Sequence, residues 1–528
     1  MAAKTKDESK KLSIIRPLGN VECYEFHMLQ LRFFGGTIVN CRYTIPPCLA
    51  TPELQHEDVV ARFEDALARV VLEHPALRLD TVNVNTKRPA WIAIGQVDFA
   101  HHVQWEDVNG SEEDAAAAAA EHEEMLRERI ETLLDEPYAG LAGRPKWRVL
   151  VLFKKGAAPF LDVVFDYSHA FGDGISGKIF HETLLRVLNT GAASGKQTSH
   201  PALANRVLTI PPTAAALPPP VEKRARFPVA AKFALSTAWR ELMPPGLALP
   251  SSANANWAPI RPAPFRTRLG IFNVEPAALK GILAACRAHD TTVTALLHAL
   301  LLVSMAARLP ANKATAFTGI TALDLRRYLD ADAARTMADY VSQTPHQFGA
   351  DVVREIRGAI TEAAAAAAAS GDDDPAPSPA LAALVWRCAA RVRGEIRKRL
   401  DDGLRDNLVG LMRLVPDWRA QFRVEASKAR PYSFFVTNLG VLDGDGGGGG
   451  GGAATEPNGE AGGRWGVAHS VFATSPEVCG AAFQVSPISV RGGALCVSCS
   501  WQDCVVDVEL AEAIVADLER WLRFIGTS

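Results

Sequence analysis

Residues 160–185 read FLDVVFDYSHAFGDGISGKIFHETLL, and this run constrains the chain more than any other. Phe160–Tyr167 is an apolar, strand-forming stretch. Ile175–Leu188 sets Ile175, Ile179, Leu184 and Leu188 at near-helical spacing. A strand must therefore give way to a helix within a few residues. His169 stands at the strand end, where its ring can project into a cleft. Asp173-Gly174 supplies the tight turn, with Gly174 expected to tolerate backbone angles that a side chain would forbid. A further strand, Trp147–Phe153, precedes it across the KKGAAP turn.

Three motifs overlap in this run. Gly172–Gly177 fits the spacing G-x-G-x-x-G, but no Asp or Glu occurs between Glu182 and Glu222, so the acid that would hold a dinucleotide ribose is missing. Gly172–Lys178 fits G-x-x-x-x-G-K, yet Ile179 follows where a P-loop needs a hydroxyl. Gly174–Lys178 fails as a serine nucleophile elbow because its fifth residue is lysine. The remaining reading is His169-x-x-x-Asp173-Gly174. An ordinary histidine, with a pKa of about 6.5, is mostly neutral at pH 7 and can act as general base. An alcohol is too weak an acid to ionise beforehand, so the base must take its proton as the oxygen attacks.

The rest of the chain bounds the class. It has 528 residues, 48% hydrophobic and 22% charged, with a net charge of −3. That excludes a wholly disordered chain and a strongly basic nucleic-acid binder, so no nucleic-acid partner is expected. The 9 cysteines are scattered, and the first ten residues are polar without a signal-peptide core. An intracellular, reducing compartment with buried thiols follows as the expectation. Cys496-x-x-Cys499 lies in an apolar strand, with no second ligand pair at metal-site spacing, so no metal is expected. Leu54–His74 reads as an amphipathic helix, and Thr291 or Thr292 caps a long apolar helix to Arg308. Strands are expected at Tyr432–Thr437, Ala481–Val485 and Ala494–Trp501, and a final amphipathic helix carries Ala511, Ile514, Leu518, Trp521, Leu522 and Ile525 on one face. Helices and strands alternate without a βαβ repeat, which indicates an α+β fold in two domains. The boundaries read as 1–200, a proline-rich crossover at 201–265, and 266–528, with disordered insertions near 363–380 and 443–463 around the second alanine run and the glycine run.

H-x-x-x-D-G after a hydrophobic strand resembles the signature of the CoA-dependent acyltransferase superfamily, which includes chloramphenicol acetyltransferase, plant BAHD acyltransferases and peptide-synthetase condensation domains. RPLGNVECYEF (16–26), ITALDLRRYL (320–329), SFFVTNLGVLD (433–443) and GAAFQVSPISVRGGALCVSCSWQDCVV (480–506) are similar to fungal alcohol acetyltransferases, in the same order and over nearly the whole chain. Ser168 stands where condensation domains often carry a second histidine, and the D-F-G-W-G segment of the plant group is missing. The resemblance implies two chloramphenicol acetyltransferase-like domains, each a mixed β-sheet flanked by helices, facing across an active-site channel. It implies acetyl-CoA as co-substrate with no permanently bound cofactor, an alcohol acceptor, and a ternary complex without an acyl-enzyme. His169 would be the base. Asp173 would support the loop and Arg326 is its candidate partner. Asn438 would stabilise the oxyanion, and Thr437 would lie near the acyl thioester.

Other readings stand beside these. The same base serves an amine acceptor or a longer acyl donor, and a non-catalytic relative could bind CoA or a protein. His101-His102 reads as alternation along a strand and His181 as helix surface. The basic run Arg387–Arg399 reads as a solvated helix face rather than a CoA-phosphate contact. A cytoplasmic monomer is the expectation. Amphipathic ends in related yeast enzymes add peripheral attachment to endoplasmic reticulum or lipid droplets as an alternative.

Overall fold

The computed structural model describes residues 14–50, 56–108, 115–156, 158–192, 200–212, 216–242, 253–370, 376–445 and 463–528. Two sheets organise it. In the first, the strands run in the order Gly466–Thr474, Thr37–Thr44, Phe160–Tyr167, Trp147–Lys154, Val103–Val108. Phe160–Tyr167 is the centre. Thr37 pairs with Tyr167 on one side and Trp147 pairs with Tyr167 on the other, both antiparallel. A central strand is covered on both faces, which is why seven of its eight residues are buried. Helices Gly174–Ala192 and His56–Glu73 pack over this sheet, joined through a core that includes Val39, Phe63, Phe165 and Phe180.

The second sheet runs Thr267–Val274, Leu495–Gln502, Ala481–Val490, Tyr432–Val436, Phe317–Asp324, Val341–Phe348, with Gly440–Leu442 added beside Ala481–Val490. It mixes parallel and antiparallel pairs. The long apolar helix Val293–Arg308, capped by the Thr292 side chain on Ala295 N–H, is buried against it. All six residues expected on the apolar face of the last helix, Val508–Thr527, are buried in the same core. Both halves are thus mixed helix-and-sheet layers, as the α+β reading requires.

Several sequence expectations change. Gly466–Thr474 lies in the C-terminal part of the chain yet forms an edge of the first sheet, pairing with Thr37–Thr44. A cut at residue 266 therefore separates segments that one sheet joins. The crossover at 201–265 is not wholly irregular, because Val207–Thr209 pairs with Gln96–Asp98 and Ala231–Leu242 is a helix. The alanine run Ala363–Ala369 completes the helix Ala350–Ser370, as the best helix-former should. Of that expected insertion only 371–375 lies outside the described residues, as do 446–462 of the second.

Candidate active site

The motif loop is built by local hydrogen bonds. Past Tyr167, the Ser168 N–H donates to the Lys146 carbonyl at 2.9 Å, continuing the strand pairing by one residue. Ser168 Oγ then accepts from Ala170 N–H at 3.3 Å and starts a single 3-10 turn, His169–Phe171. The buried Tyr167 hydroxyl donates to the Asp173 carbonyl at 2.7 Å and closes the loop. Asp173 Oδ1 accepts from Ser176 N–H at 3.0 Å, so the motif aspartate also caps the helix that follows. Gly174 has a role other than the one expected. Its backbone is not left-handed; instead a Cβ there would meet Leu439 Cδ2 at 2.6 Å and Phe472 Cζ at 3.1 Å. Glycine lets the second half of the chain close onto the helix start.

The Asp173 carboxylate enters a buried ion pair. Arg326 Nη1 donates to Asp173 Oδ2 at 2.5 Å and Nη2 to Oδ1 at 3.0 Å, and both side chains are 4% exposed. Burial works against the charge on Asp173, yet the guanidinium and a Tyr340 N–H hold its carboxyl below the usual range. The pair clamps a third segment. Arg326 Nη2 also donates to the carbonyls of Thr336 and Ala338 at 3.1 and 3.0 Å. Ser176 Oγ donates to the Ala338 carbonyl and accepts from Ala338 N–H, each at 3.1 Å. Residues 336–340 are thereby tied to the motif loop.

That segment delivers Asp339 to His169. Asp339 Oδ2 lies 3.5 Å and Glu25 Oε1 lies 4.0 Å from His169 Nδ1. The Asp339 side chain is fully buried, and neither of its oxygens has a hydrogen-bond partner; Nδ1 is buried and unpartnered too. At 3.5 Å the contact is an ion pair rather than a formed hydrogen bond. The imidazole as a whole is 17% exposed, with the Phe34 ring edge-on at 5.8 Å. Nδ1 is thus the enclosed nitrogen.

The charges change one expectation. Burial alone would lower the His169 pKa, but Glu25 and Asp339, with Asp173 behind them, outweigh it and raise it to about 10. Burial pushes Glu25 up to about 8. Burial also raises Asp339 and Glu477, both of which face the same imidazole. The ring is therefore not the ordinary neutral histidine the sequence suggested. Without substrate it holds a proton at neutral pH, and the base form appears when the cluster sheds one.

The other expected residues lie nearby or elsewhere. Leu439 packs on Gly174, which brings the 437–441 segment against the motif helix, and Lys178 Nζ donates to the Val441 carbonyl at 2.7 Å. Asn438 Nδ2 donates to Thr294 Oγ1 on helix Val293–Arg308 at 3.0 Å and its Oδ1 accepts from Gly440 N–H at 2.7 Å, so both ends of the amide are engaged. Thr437 N–H donates to the Val485 carbonyl at 2.9 Å. His181 is not helix surface. It is fully buried, with Tyr43 Oη at 3.0 Å and the Val39 carbonyl at 2.9 Å, and burial lowers its pKa to about 4. His101-His102 falls in a short helix, Phe99–His102, not a strand, and His102 Nδ1 is 2.9 Å from the Trp147 carbonyl. Cys496 and Cys499 are buried free thiols in strand Leu495–Gln502. In the basic helix, Arg387 pairs with Glu355, Arg393 with Asp290, and Arg391 donates to the Gln347 carbonyl.

Sequence reasoning missed Glu25, Ser176, Asp339 and Glu477. Glu25 sits inside a quoted segment, and Ser176 inside the motif itself. Neither Asp339 nor Glu477 carried a local signal.

Known proteins are similar to this chain. The alcohol acetyltransferase family matches residues 126–349, a span that holds His169, Asp173, Arg326 and Asp339. Over that span the chain is similar to the alcohol acetyltransferases. It is 26% identical over 472 residues to a probable alcohol acetyltransferase, FCK4, of Fusarium pseudograminearum, covering 87% of this chain and 85% of that one. A probable alcohol acetyltransferase of Aspergillus fumigatus, crmB, is 26% identical over 451 residues, 84% of this chain and 86% of the other. Among solved structures, the TRI3 trichothecene 15-O-acetyltransferase of Fusarium sporotrichioides superposes with a TM-score of 0.64 at 15% identity, over 96% of this chain and 94% of that one. The same organism's TRI101, complexed with coenzyme A and T-2, gives 0.52 at 15% identity over 96% of each chain. The chain therefore has the two-domain chloramphenicol acetyltransferase-like fold, and its sequence similarities are those of an acyltransferase. These similarities support transfer of an acyl group to a hydroxyl and speak against a binding module without catalysis.

Proposed function

We propose that the protein transfers the acetyl group of acetyl-CoA to the hydroxyl of an alcohol acceptor, with His169 as general base in a ternary complex. The observation that carries this is the placement of one imidazole. Its Nδ1 is shut in against Asp339 and Glu25, while the ring keeps 17% exposure where the two halves of the chain meet. The other nitrogen is the one left to face a substrate. Acetyl-CoA and the acceptor would reach it through a channel between the halves. The acceptor oxygen attacks the thioester carbonyl carbon as Nε2 takes its proton. The tetrahedral intermediate collapses, the carbon–sulfur bond breaks, and the imidazolium returns the proton to the CoA sulfur. Holding both reactants together removes the entropic penalty of their encounter. The Thr437-Asn438 segment, packed beside the motif helix, is the candidate for contacting the thioester and its oxyanion once Asn438 turns from Thr294.

An amine acceptor is the second reading. Glu25, Asp339 and Glu477 surround a single imidazole, and an acidic surround favours a cationic acceptor over a neutral one. The test is purified protein with acetyl-CoA and a panel of alcohols and amines, read by free thiol release and product mass. Ester products are expected. Amide products alone would replace the first reading with the second, and no product from any acceptor would overturn both.

A further inference from the structure

We infer that Asp339 is the positioning residue of His169, and that the Asp173–Arg326 ion pair serves to hold Asp339 against Nδ1. The inference rests on His169 acting as the base. Three observations carry it. First, the Asp339 carboxylate is fully buried, accepts no hydrogen bond, and has Oδ2 3.5 Å from Nδ1. A buried carboxylate without partners is unfavourable unless a cation faces it, and the imidazole is the group that does. Second, residues on both sides of Asp339 are fixed by the motif loop. Ala338 exchanges hydrogen bonds with Ser176 Oγ, and Tyr340 N–H donates to Asp173 Oδ2 at 3.0 Å. Third, Arg326 binds Asp173 and the Ala338 carbonyl with the same guanidinium. The aspartate of the motif thus never reaches the substrate. It assembles a bridge from the far half of the chain, and that bridge ends in the carboxylate behind the base.

The consequence is chemical. Asp339 keeps the proton on Nδ1, leaves Nε2 free to accept, and stabilises the imidazolium formed when the acceptor gives up its proton. The groups facing the ring are Glu25 from helix Asn20–Gln30, Asp339, Glu477 from the segment before strand Ala481–Val490, and Asp173 within the loop. Arg326 faces Asp173, and Arg430 faces Glu477.

The experiment measures kcat and kcat/KM from pH 6 to 10 for the wild type, Asp339→Asn, Asp339→Glu and His169→Ala. Asparagine keeps the shape and removes the charge. Its kcat is expected to fall roughly 10²-fold or more, as when a histidine base loses the carboxylate that sets its tautomer. KM should stay close to wild type, and the acid limb should move to lower pH because one negative neighbour is gone. Asp339→Glu should restore part of kcat. If His169→Ala is inactive while Asp339→Asn keeps wild-type kcat and the wild-type acid limb, the inference is overturned and the base survives. If His169→Ala stays active, the underlying reading fails instead. Nitrogen chemical shifts of His169 in the wild-type protein give an answer without a variant. A proton retained on Nδ1 as the ring neutralises supports the dyad, and a proton retained on Nε2 overturns it.

Discussion

Remove Arg326 and the motif aspartate is left as a buried charge without its cation. The structure sets the scale. Both side chains are 4% exposed and meet through two contacts at 2.5 and 3.0 Å. Unit charges about 4 Å apart attract by roughly 4 kcal/mol at an effective dielectric near 20. Breaking a buried pair by deleting one partner typically destabilises by roughly 3–5 kcal/mol, because the other charge stays desolvated. Arg326→Met and Asp173→Asn should each fall in that range. The double variant should be no worse than the worse single one, since neither charge then remains, which gives a coupling of roughly 3 kcal/mol. Urea denaturation of the four proteins measures this, provided the slopes agree. Single effects that add to within about 0.5 kcal/mol would refute the clamp.

Three further outcomes follow from the same geometry. Gly174→Ala should destabilise by about 1–3 kcal/mol in thermal unfolding, because the new methyl would overlap Leu439 and Phe472. Tyr167→Phe removes one of two donors to the Asp173 carbonyl, the Ser176 N–H remaining at 2.9 Å, and should lower stability by about 0.5–1.5 kcal/mol, with a drop in kcat as the loop loosens. The acid–base prediction concerns pH. Glu25 is pushed up to about 8 and His169 to about 10, so kcat/KM should climb through that window as the base form appears. The protonated ring's contribution to stability is complete below its unfolded value of about 6.5 and lost as pH rises through about 10, so Tm of the ligand-free protein should fall over the same interval.

How much of this the chain discloses depends on distance along it. The strand Phe160–Tyr167, the turn and the helix after it are local and announce themselves by apolar runs and an Asp-Gly pair. The Asp173–Arg326 partnership came from a family resemblance in DLRR, and the geometry places the two side chains together. Asp339 and Glu477 were illegible, because an isolated acid in a loop looks like surface until a distant clamp buries it. His181 misled for the opposite reason. Its helix is buried over much of its length, so helical period could not tell which face meets strand Thr37–Thr44. The strand Gly466–Thr474 hid because its partner lies in the other half of the chain, and no local pattern names a partner. Gly174 was read as conformational freedom when its cause is close approach, a difference only tertiary contacts reveal.

The account turns on whether His169 takes the acceptor's proton. The most direct measurement is acceptor-dependent thiol release from acetyl-CoA by wild type and His169→Ala, with coenzyme A binding and melting followed in parallel. A general base is worth roughly 10²–10⁴-fold. The account predicts a loss of that size or greater with binding and fold retained, and partial recovery when free imidazole fills the space left by the ring. Turnover in His169→Ala equal to that of the wild type would contradict it.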